Sequence, residues 1–464
     1  MVTALFLFHR DLRIEDNSAL NEAIKHAEHV LPVFIFTPEQ IDEKQNKYFS
    51  HPAVQFMVES LISLDKALNG KLGMFRGDTI NILGQLYKKY KFDCIYANRD
   101  YSRYAIKRDK AISDWCKLSN IKYIDAEDYD LIPLAEGLRA PEQPYTVLSP
   151  YYKRFLKDIE VKKPETEKTN VKFINCEMAG RLNKNKICSY FFENKNIAVH
   201  GGREEGLKVL ARIKKGEYNK YNSERDYPAQ NKTTKASAYL RFGCISIREM
   251  YWTLRNMYGR DNGLIRELVF RSFYLKIYAY KPELQNGVAY RNDIDSVVPW
   301  RKDQTRWKAW STGHTGFPLC DAGMRQLLGE NWVHNRVRML IANVATKYLL
   351  LDWRECMRFF YQNLVDADIF SNTAGWQWGS GVGVDSAPYF RAPFNPFLQS
   401  DKFDKEAVYI KRWIPELAEV TPRDIHNWGD AKVRAKYPNC KYPAPIIDQK
   451  TASAYAVATF RPKK

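Results

Sequence analysis

The sequence predicts two architectures in series. The front third is an α/β domain on a doubly wound parallel sheet, and the C-terminal part is all-α, with a long polar connector between them. Three observations predict this. Short β-rich runs alternate with amphipathic helical stretches through residue 130. Beyond about residue 200 the strand pattern disappears and helical periodicity takes over. Charge and tryptophan content change along the chain in the same sense.

The β-rich runs are 4–8, 30–37, 72–76, 94–98 and 122–125, and helical patterns fill 18–27, 54–68, 79–90 and 104–118. Asn17 or Ser18 is placed to cap the first helix, and Asp78 the third. Strands alternating with helices of this length give a parallel sheet. No GxGxxG follows a strand, so a dinucleotide held in the usual manner of such sheets is not supported. Residues 131–199 read as an interdomain linker rich in Lys, Asn, Glu and Pro, with Lys162-Lys163-Pro164 and Asn183-Lys184-Asn185-Lys186 as its most polar stretches. A short helix is expected within it at 151–159. Helical periodicity then marks 204–214, 247–258, 264–278, 321–328, 333–347, 353–364 and 405–414. The expected domains are therefore 1–130, a 131–199 linker and 200–464.

With 464 residues, 45% of them hydrophobic, the chain has material for large cores and is neither disordered nor fibrous. Its longest apolar runs, such as 30–36, are far too short to cross a bilayer. The apolar run at 4–8 meets His9-Arg10-Asp11-Leu12-Arg13 at once, which does not suit a signal peptide. Eight cysteines lie far apart with no CxxC pair, arguing against zinc, an iron–sulfur cluster or a disulfide framework. No metal site is expected. The expectation is a reduced, cytoplasmic protein, nuclear in a eukaryote.

The net charge of +18 is unevenly placed. Residues 1–130 carry 18 basic and 19 acidic side chains, and the remainder carries 54 and 35, a net of +19. A neutral front and a basic rear point to an anionic partner for the rear, nucleic acid slightly ahead of a surface that is simply lysine-rich. Nine of the eleven tryptophans fall between Trp300 and Trp428, in that same basic part. Tryptophan clusters usually mean packing, but here stacking on bases or on an aromatic cofactor becomes plausible.

No GxxxxGK[ST], HExxH or GxSxG motif is present. What stands out is the block Asn331-Trp332-Val333-His334-Asn335-Arg336-Val337-Arg338-Met339, followed by Asp366-Ala367-Asp368-Ile369-Phe370-Ser371-Asn372-Thr373-Ala374-Gly375-Trp376-Gln377-Trp378. Helical spacing puts Asn335, Arg338 and Met339 on one side. Two arginines and a histidine among large apolar residues need partners, and Asp366 with Asp368 is the natural counter-charge. Either block alone reads as a structural ion pair. Together, beside the tryptophan-rich tract, they favour a cofactor cavity.

The chain resembles the DNA photolyase/cryptochrome family, flavoproteins that use blue light. The resemblance runs from His9-Arg10-Asp11-Leu12-Arg13 with Asp16-Asn17, through Glu224-Arg225-Asp226-Tyr227-Pro228, Phe242-Gly243 and 317–327, to Tyr442-Pro443-Ala444-Pro445-Ile446-Ile447-Asp448. Asp385-Ser386-Ala387-Pro388-Tyr389-Phe390-Arg391 and Lys402-Phe403-Asp404 complete it. It implies an N-terminal α/β antenna domain, a long linker and a helical domain that holds FAD and binds DNA.

Roles follow from the resemblance residue by residue. Tyr221 and Thr233, Thr234, Lys235, Ala236 and Ser237 match the segment that holds the FAD phosphates. Thr234 and Ala236 depart from the usual TSxLS pattern, but the hydroxyls of Thr233, Thr234 and Ser237 remain. Arg271, Trp332, Asn335 and Arg338 match further flavin-contacting positions, and Asp366 and Asp368 match carboxylates near the ring, with Asp366 expected to pair with Arg338. Asn372 matches the residue facing flavin N5, where an amide suits a reduced, anionic flavin better than a carboxylate does. Trp300, Trp353 and Trp376 match the chain that relays electrons to the photoexcited oxidised flavin.

Glu267, Met339 and Trp378 match the lesion pocket of enzymes that repair cyclobutane pyrimidine dimers. Phe270 stands where a tryptophan usually stacks on the lesion, and 392–394 is one residue longer than usual. Arg225, Arg336 and Arg391 match phosphate contacts to UV-damaged DNA. In place of the Asn-Glu pair that holds an antenna folate stand Tyr104-Ala105, so folate is disfavoured and a deazaflavin, a second flavin or no antenna stays open. The expected activity is that of a monomeric class I cyclobutane dimer photolyase without an obligate protein partner. Repair of (6-4) photoproducts is disfavoured by Asn335, Met339 and Glu267. A cryptochrome-type light sensor is disfavoured by Asn372 and by the short stretch after Asp448.

Overall fold

The computed structural model describes residues 2–167, 172–385 and 393–460. Its contacts divide the chain into two compact units: Met1–Glu193 with Val199–Asn219 and Thr234–Pro282, and Asn194–Ala198 with Lys220–Thr233 and Glu283–Lys464.

The first unit is built on a parallel sheet of order β3-β2-β1-β4-β5. The strands are β1 (Thr3–Leu7), β2 (His29–Phe36), β3 (Gly73–Arg76), β4 (Cys94–Asn98) and β5 (Lys122–Ala126), each where the β-rich runs predict it. Strands covered on both faces must be apolar throughout, and Ala4 to Phe8 are all at most 1% exposed. Helices Ser18–His26, His51–Ala67, Thr79–Tyr90 and Arg103–Leu118 fill the crossovers. Asn17 and Asp78 cap the first and third, each accepting a backbone N–H. A sixth short strand, β6 (Lys172–Phe173), pairs with the start of β2, where no β pattern is legible. In the polar connector, helix Leu148–Asp158 forms as expected.

A buried charge network ties the sheet to helices of the later sequence within this unit. Arg13 donates to Asp128 at 2.6 Å and to the Gly243 carbonyl at 3.2 Å. Arg248 meets Asp128 at 2.7 Å and Asp16 at 3.0 Å, and the Ser246 hydroxyl donates to Asp16. Burial alone would push the Asp128 carboxyl up, but the two guanidiniums overcome that and hold it far below the usual carboxylate range. Ser246 and Glu249 form a capping box at the start of helix Ile247–Tyr258, and Glu249 also takes two bonds of 2.7 Å from Arg203. Gly243 is obligatory here. Its φ is +65°, and a Cβ would lie 2.3 Å from the Arg10 carbonyl oxygen.

The second unit is helical. Helices Pro318–Glu330, Asn335–Asn343, Trp353–Asn363 and Ile369–Ser380 form its centre. Gly323 lets the first two approach, since a Cβ there would lie 2.2 Å from Val337. Two boundaries differ from expectation. The helix expected over 333–347 begins only at Asn335, because His334 caps it by accepting the Arg336 N–H, and it widens into a π turn over Val344–Tyr348. The stretch 405–414 is helical only over Val408–Trp413, because Asp404 takes the Tyr409 and Ile410 N–H groups and Ala407 turns left-handed at φ +52°. Among the described residues no helix is long and apolar enough to cross a membrane.

The charge network sets a stability expectation. Asp128→Asn leaves two buried guanidiniums facing a neutral amide and is expected to cost about 3–5 kcal/mol, read as a lower denaturant midpoint. Because the folded carboxyl is depressed, its contribution is complete above the unfolded value of about 3.9 and is lost as pH falls below it. The gap between variant and parent should therefore narrow in acid.

Candidate functional site

The expected site residues fall in both units, and each group is described in its own unit. In the second unit, helix Asn335–Asn343 buries Val337, Leu340 and Ile341 and turns Asn335, Arg338 and Met339 to its open side, as the spacing predicts. Arg338 is fixed rather than free to swing. Its Nη2 meets both oxygens of Asp366 at 3.1 and 3.0 Å, and its Nε donates to the Val333 carbonyl at 2.7 Å. The expected Arg338–Asp366 pair is therefore present.

Asp368, expected as a counter-charge, also has a local structural task. It caps helix Ile369–Ser380, accepting the backbone N–H and the hydroxyl of Ser371 at 3.2 Å each. The carboxylate opposite Arg336 is instead Asp226, at 2.8 Å, and the guanidinium lies 4.5 Å from the Phe403 ring centre. Sequence reasoning missed Asp226, which stands 110 positions from its partner inside a motif read only as a family marker. Arg225 lies near its neighbour Tyr221, guanidinium to ring centre 5.9 Å.

His334 stands just before Arg336 and Arg338 on the chain. Burial, aided by Arg338 and Arg336 against the opposing pull of Asp226, lowers it to about 4. It is a neutral imidazole at neutral pH. Trp332, buried, meets the His334 ring edge-on at 6.3 Å.

On helix Ile369–Ser380 the positions Asn372, Gly375 and Trp378 form one incompletely buried stripe, while Thr373, Ala374, Trp376 and Gln377 are buried. Asn372 donates its amide N–H to the Met357 carbonyl at 3.0 Å. A carbonyl can only accept, so the orientation is fixed and the amide oxygen of Asn372 remains as an acceptor. Nothing lies within 4 Å of where a Cβ would stand on Gly375, which leaves open space between the two side chains.

Trp376 is buried and packs edge-on against Phe360 at 5.0 Å and Trp310 at 6.0 Å. Trp353 is fully buried and Trp300 half-buried, and both donate their indole N–H to the same oxygen of Asp295 at 3.0 Å. Asp295 and Trp310 were not singled out by the sequence. An aromatic count does not reveal which rings touch.

In the first unit, helix Gly263–Tyr280 carries Glu267, Phe270 and Arg271 on one half-buried face, with Leu268, Val269, Ser272 and Phe273 buried behind it. Arg271 donates to the Tyr129 carbonyl at 2.9 Å, its guanidinium 4.0 Å from the Tyr129 ring centre. Tyr274, which sequence reasoning passed over, is buried and packs against the Phe270 ring at 4.6 Å. Lys235 adopts φ +50°, unusual for a side-chain-bearing residue, between Thr234 and Ala236. Ala236 is buried and donates its N–H to the Thr234 hydroxyl at 3.4 Å, and Ser237 opens helix Ser237–Arg241. Thr233, which counts with the second unit, keeps a buried hydroxyl without a hydrogen-bond partner among the described residues. Arg391 and Ala392 lie outside the described residues.

At the front of the first unit, the carboxyl ends of β1 and β4 flank the point where strand order reverses, the usual place for a ligand in such sheets. There Tyr104 bonds the Thr37 hydroxyl at 2.6 Å, and Arg108 meets the ring nitrogen of His9 at 3.1 Å.

Two family models match the chain: one described as DNA photolyase over residues 4–169, the other as the FAD binding domain of DNA photolyase over residues 264–462. A deoxyribodipyrimidine photo-lyase from Alkalihalophilus pseudofirmus is 33% identical, over 98% of this chain and 97% of that one. The crystal structure of an archaeal photolyase from Sulfolobus tokodaii with two FAD molecules superposes with a TM-score of 0.86 at 34% identity, covering 99% of both chains. A bacterial class III photolyase from Agrobacterium tumefaciens gives 0.88 at 28% identity, covering 99% of this chain and 97% of the other.

The neutral His334 has a measurable consequence. Its folded value of about 4 lies below the unfolded value of about 6.5, so stability falls as pH drops through that interval. His334→Asn keeps a good cap and removes the titration. Its melting temperature should lose less than the parent's between those two pH values.

Proposed function

This chain belongs to the DNA photolyase family, and on that premise we propose that it is a light-driven class I enzyme that splits cyclobutane pyrimidine dimers in DNA. The observation that carries the reading is the open face of helix Asn335–Asn343. It presents Asn335 and Met339 beside Arg338, where the resemblance places histidines in (6-4) enzymes. Glu267, on a half-buried face with Phe270 and Arg271, supports the same substrate.

The residues present suit a flavin. The unpaired buried hydroxyl of Thr233 asks for a polar partner, the Asn372 oxygen faces away as an acceptor, and Gly375 leaves room between Asn372 and Trp378. Tyr221, Thr233, Thr234, Lys235, Ser237 and the backbone of Ala236 would hold the FAD phosphates. Arg271, Trp332, Asn335, Arg338, Asp366, Asp368 and Asn372 would hold the remainder. Held there, reduced FAD would supply the light-driven one-electron chemistry that splitting a cyclobutane dimer requires.

The protein's own contribution is binding, orientation and electrostatics. Asn372 accepts a hydrogen bond from a protonated N5 without adding charge. Arg338, fixed by Asp366 and the Val333 carbonyl, offers a positive edge that needs no rearrangement. Phe270, packed against the buried Tyr274, and Trp378 give apolar faces for the flipped bases, and Glu267 hydrogen-bonds them. Arg225, Arg336 and Arg391 contact backbone phosphates, which carry no sequence information, as suits an enzyme that meets damage anywhere. Trp376, Trp353 and Trp300 return an oxidised flavin to its working state. We read the front crevice near Tyr104 and Arg108 as an antenna site for a second flavin, a reading supported by the archaeal structure with two FAD molecules. The enzyme acts as an intracellular monomer.

Illumination of the reduced protein with oligonucleotides bearing one defined lesion each tests the substrate. Cyclobutane dimers should disappear and (6-4) products persist, and the reverse outcome overturns the assignment. Trp376→Phe should slow photoreduction of the oxidised flavin by at least about tenfold, roughly 1.4 kcal/mol in barrier. Enzyme reduced chemically beforehand should still repair.

A further inference from the structure

We propose that Asp295 and Arg354 form a polarising pair that drives the positive charge left by flavin photoreduction outward, off Trp376 and on to Trp300. The inference rests on the relay reading above.

The geometry is specific. The Nε1 atoms of Trp353 and Trp300 both donate to Oδ1 of Asp295, at 3.0 Å each, so the two indole nitrogens share one acceptor. Asp295 is 7% exposed, and its charge is little screened by water. Its other oxygen, Oδ2, faces Nη2 of Arg354 in an ion pair, and Nη1 of Arg354 reaches Oδ1 at 3.4 Å. Arg354 is itself held by Asp352 at 3.2 Å and by the Gly287 carbonyl at 2.8 Å. Its guanidinium lies 4.7 Å from the centre of the Trp353 ring.

Each contact has a sign. A carboxylate bonded to an indole N–H stabilises positive charge on that ring. Among the described residues no carboxylate accepts from Trp376, so Asp295 favours oxidation of the outer two rings over the inner one. Because the same oxygen serves both at the same distance, Asp295 cannot choose between Trp353 and Trp300. Arg354 can. A cation near the Trp353 ring repels a second positive charge there, and no described cation lies over Trp300. Trp300 is also half-buried where Trp353 is fully buried, so water solvates the charge only at the outer ring. Asp295 draws the charge off Trp376, and Arg354 and solvation then favour Trp300 over Trp353, so Trp353 is a waypoint and Trp300 the end point.

Only electrons move in the proposed sequence. Trp376, oxidised by the excited flavin, is reduced by one electron from Trp353, and Trp353 by one from Trp300. The indole protons stay on nitrogen in this scheme, each held in a hydrogen bond to Oδ1 of Asp295, whose Oδ2 is engaged by Arg354. An external thiol then supplies an electron to Trp300 and is itself oxidised.

Asp295→Asn keeps an oxygen acceptor for both indoles and removes the charge. In flavin-loaded protein, transient absorption should show the first tryptophan radical forming as in the parent and then returning its charge inward. The yield of long-lived radical and the rate of steady-state photoreduction should each fall by at least about tenfold, equivalent to roughly 1.4 kcal/mol. Asp295→Glu, which keeps the charge, should restore most of the yield. Arg354→Gln should lower the share of radical on Trp300 several-fold, read as the difference between its spectra with and without Trp300→Phe. An Asp295→Asn protein that photoreduces at the parent rate overturns the proposal. Should that variant fail to retain flavin, an Arg354→Gln protein with the parent's radical distribution overturns it instead. A parent protein that shows no photoreduction at all removes the relay reading itself, a distinguishable result.

Discussion

The buried cluster of Arg13, Arg248, Asp16 and Asp128 is the constraint on which the first unit depends. Charges taken out of water are expensive, and this arrangement is tolerable only because every carboxylate has guanidinium or hydroxyl partners at once. The requirement is strict in geometry, so it fixes how helix Ile247–Tyr258 sits against the loop after β1. The next helix, Gly263–Tyr280, continues from it and carries Glu267, Phe270 and Arg271. Further bonds hold that helix to the same unit: Ser272 donates to Asp130 at 2.8 Å, and the buried Lys276 donates to the Pro133 carbonyl at 2.6 Å. The helix that carries Glu267, Phe270 and Arg271 is therefore aligned by polar contacts with the segment just after the sheet, more than one hundred and forty positions upstream.

This explains what could and could not be read from the chain. Strands β1, β2 and β4 are legible because a strand covered on both faces has to be largely apolar along its length, and runs such as 94–98 satisfy that condition. The start of helix Ile247–Tyr258 is legible because Ser246 and Glu249 are local signals of a capping box. Strand β6 is not legible, since two residues hold no pattern and its place is set by the edge of β2. Neither is the loss of the first turns of the 405–414 helix, because Asp404 competes for N–H groups that a propensity argument assigns to the helix. The motif His9-Arg10-Asp11-Leu12-Arg13 marks the family by resemblance. Its physical reason is invisible in one dimension, because Asp128, Arg248 and Gly243 are remote from it in sequence.

The candidate site shows the same division. Periodicity places Asn335, Arg338 and Met339 on one helix face, and the counter-charge argument identifies Asp366. It fails for Arg336, whose partner Asp226 could be found only by folding, and it overlooks that Asp368, immediately before a helix, is a cap. That positional signal was present in the chain, as Asp368 precedes Ile369 and the Ser371 amide. Aromatic residues are the harder case. Trp310 and Tyr274 look like core material by composition, and only ring distances of 6.0 and 4.6 Å attach them to Trp376 and Phe270.

Charge compensation inside the second unit also changes how its basic character should be understood. The arginines nearest the candidate site are largely neutralised: Arg338 by Asp366, Arg336 by Asp226 and Arg354 by Asp295. Their task is geometric, since a guanidinium fixed by a carboxylate presents its remaining nitrogens in one direction. The excess of 19 positive charges after residue 130 therefore rests mainly on other side chains, including exposed lysines such as Lys302, Lys308 and Lys402. Such cations attract a polyanion at long range, screened over about 8 Å at physiological salt. The paired arginines act only at contact. On the proposed function this separates two tasks that a bare net charge conflates: exposed lysines draw in DNA of any sequence from a distance, while the compensated arginines act where they touch, Arg336 on a backbone phosphate and Arg338 on the flavin.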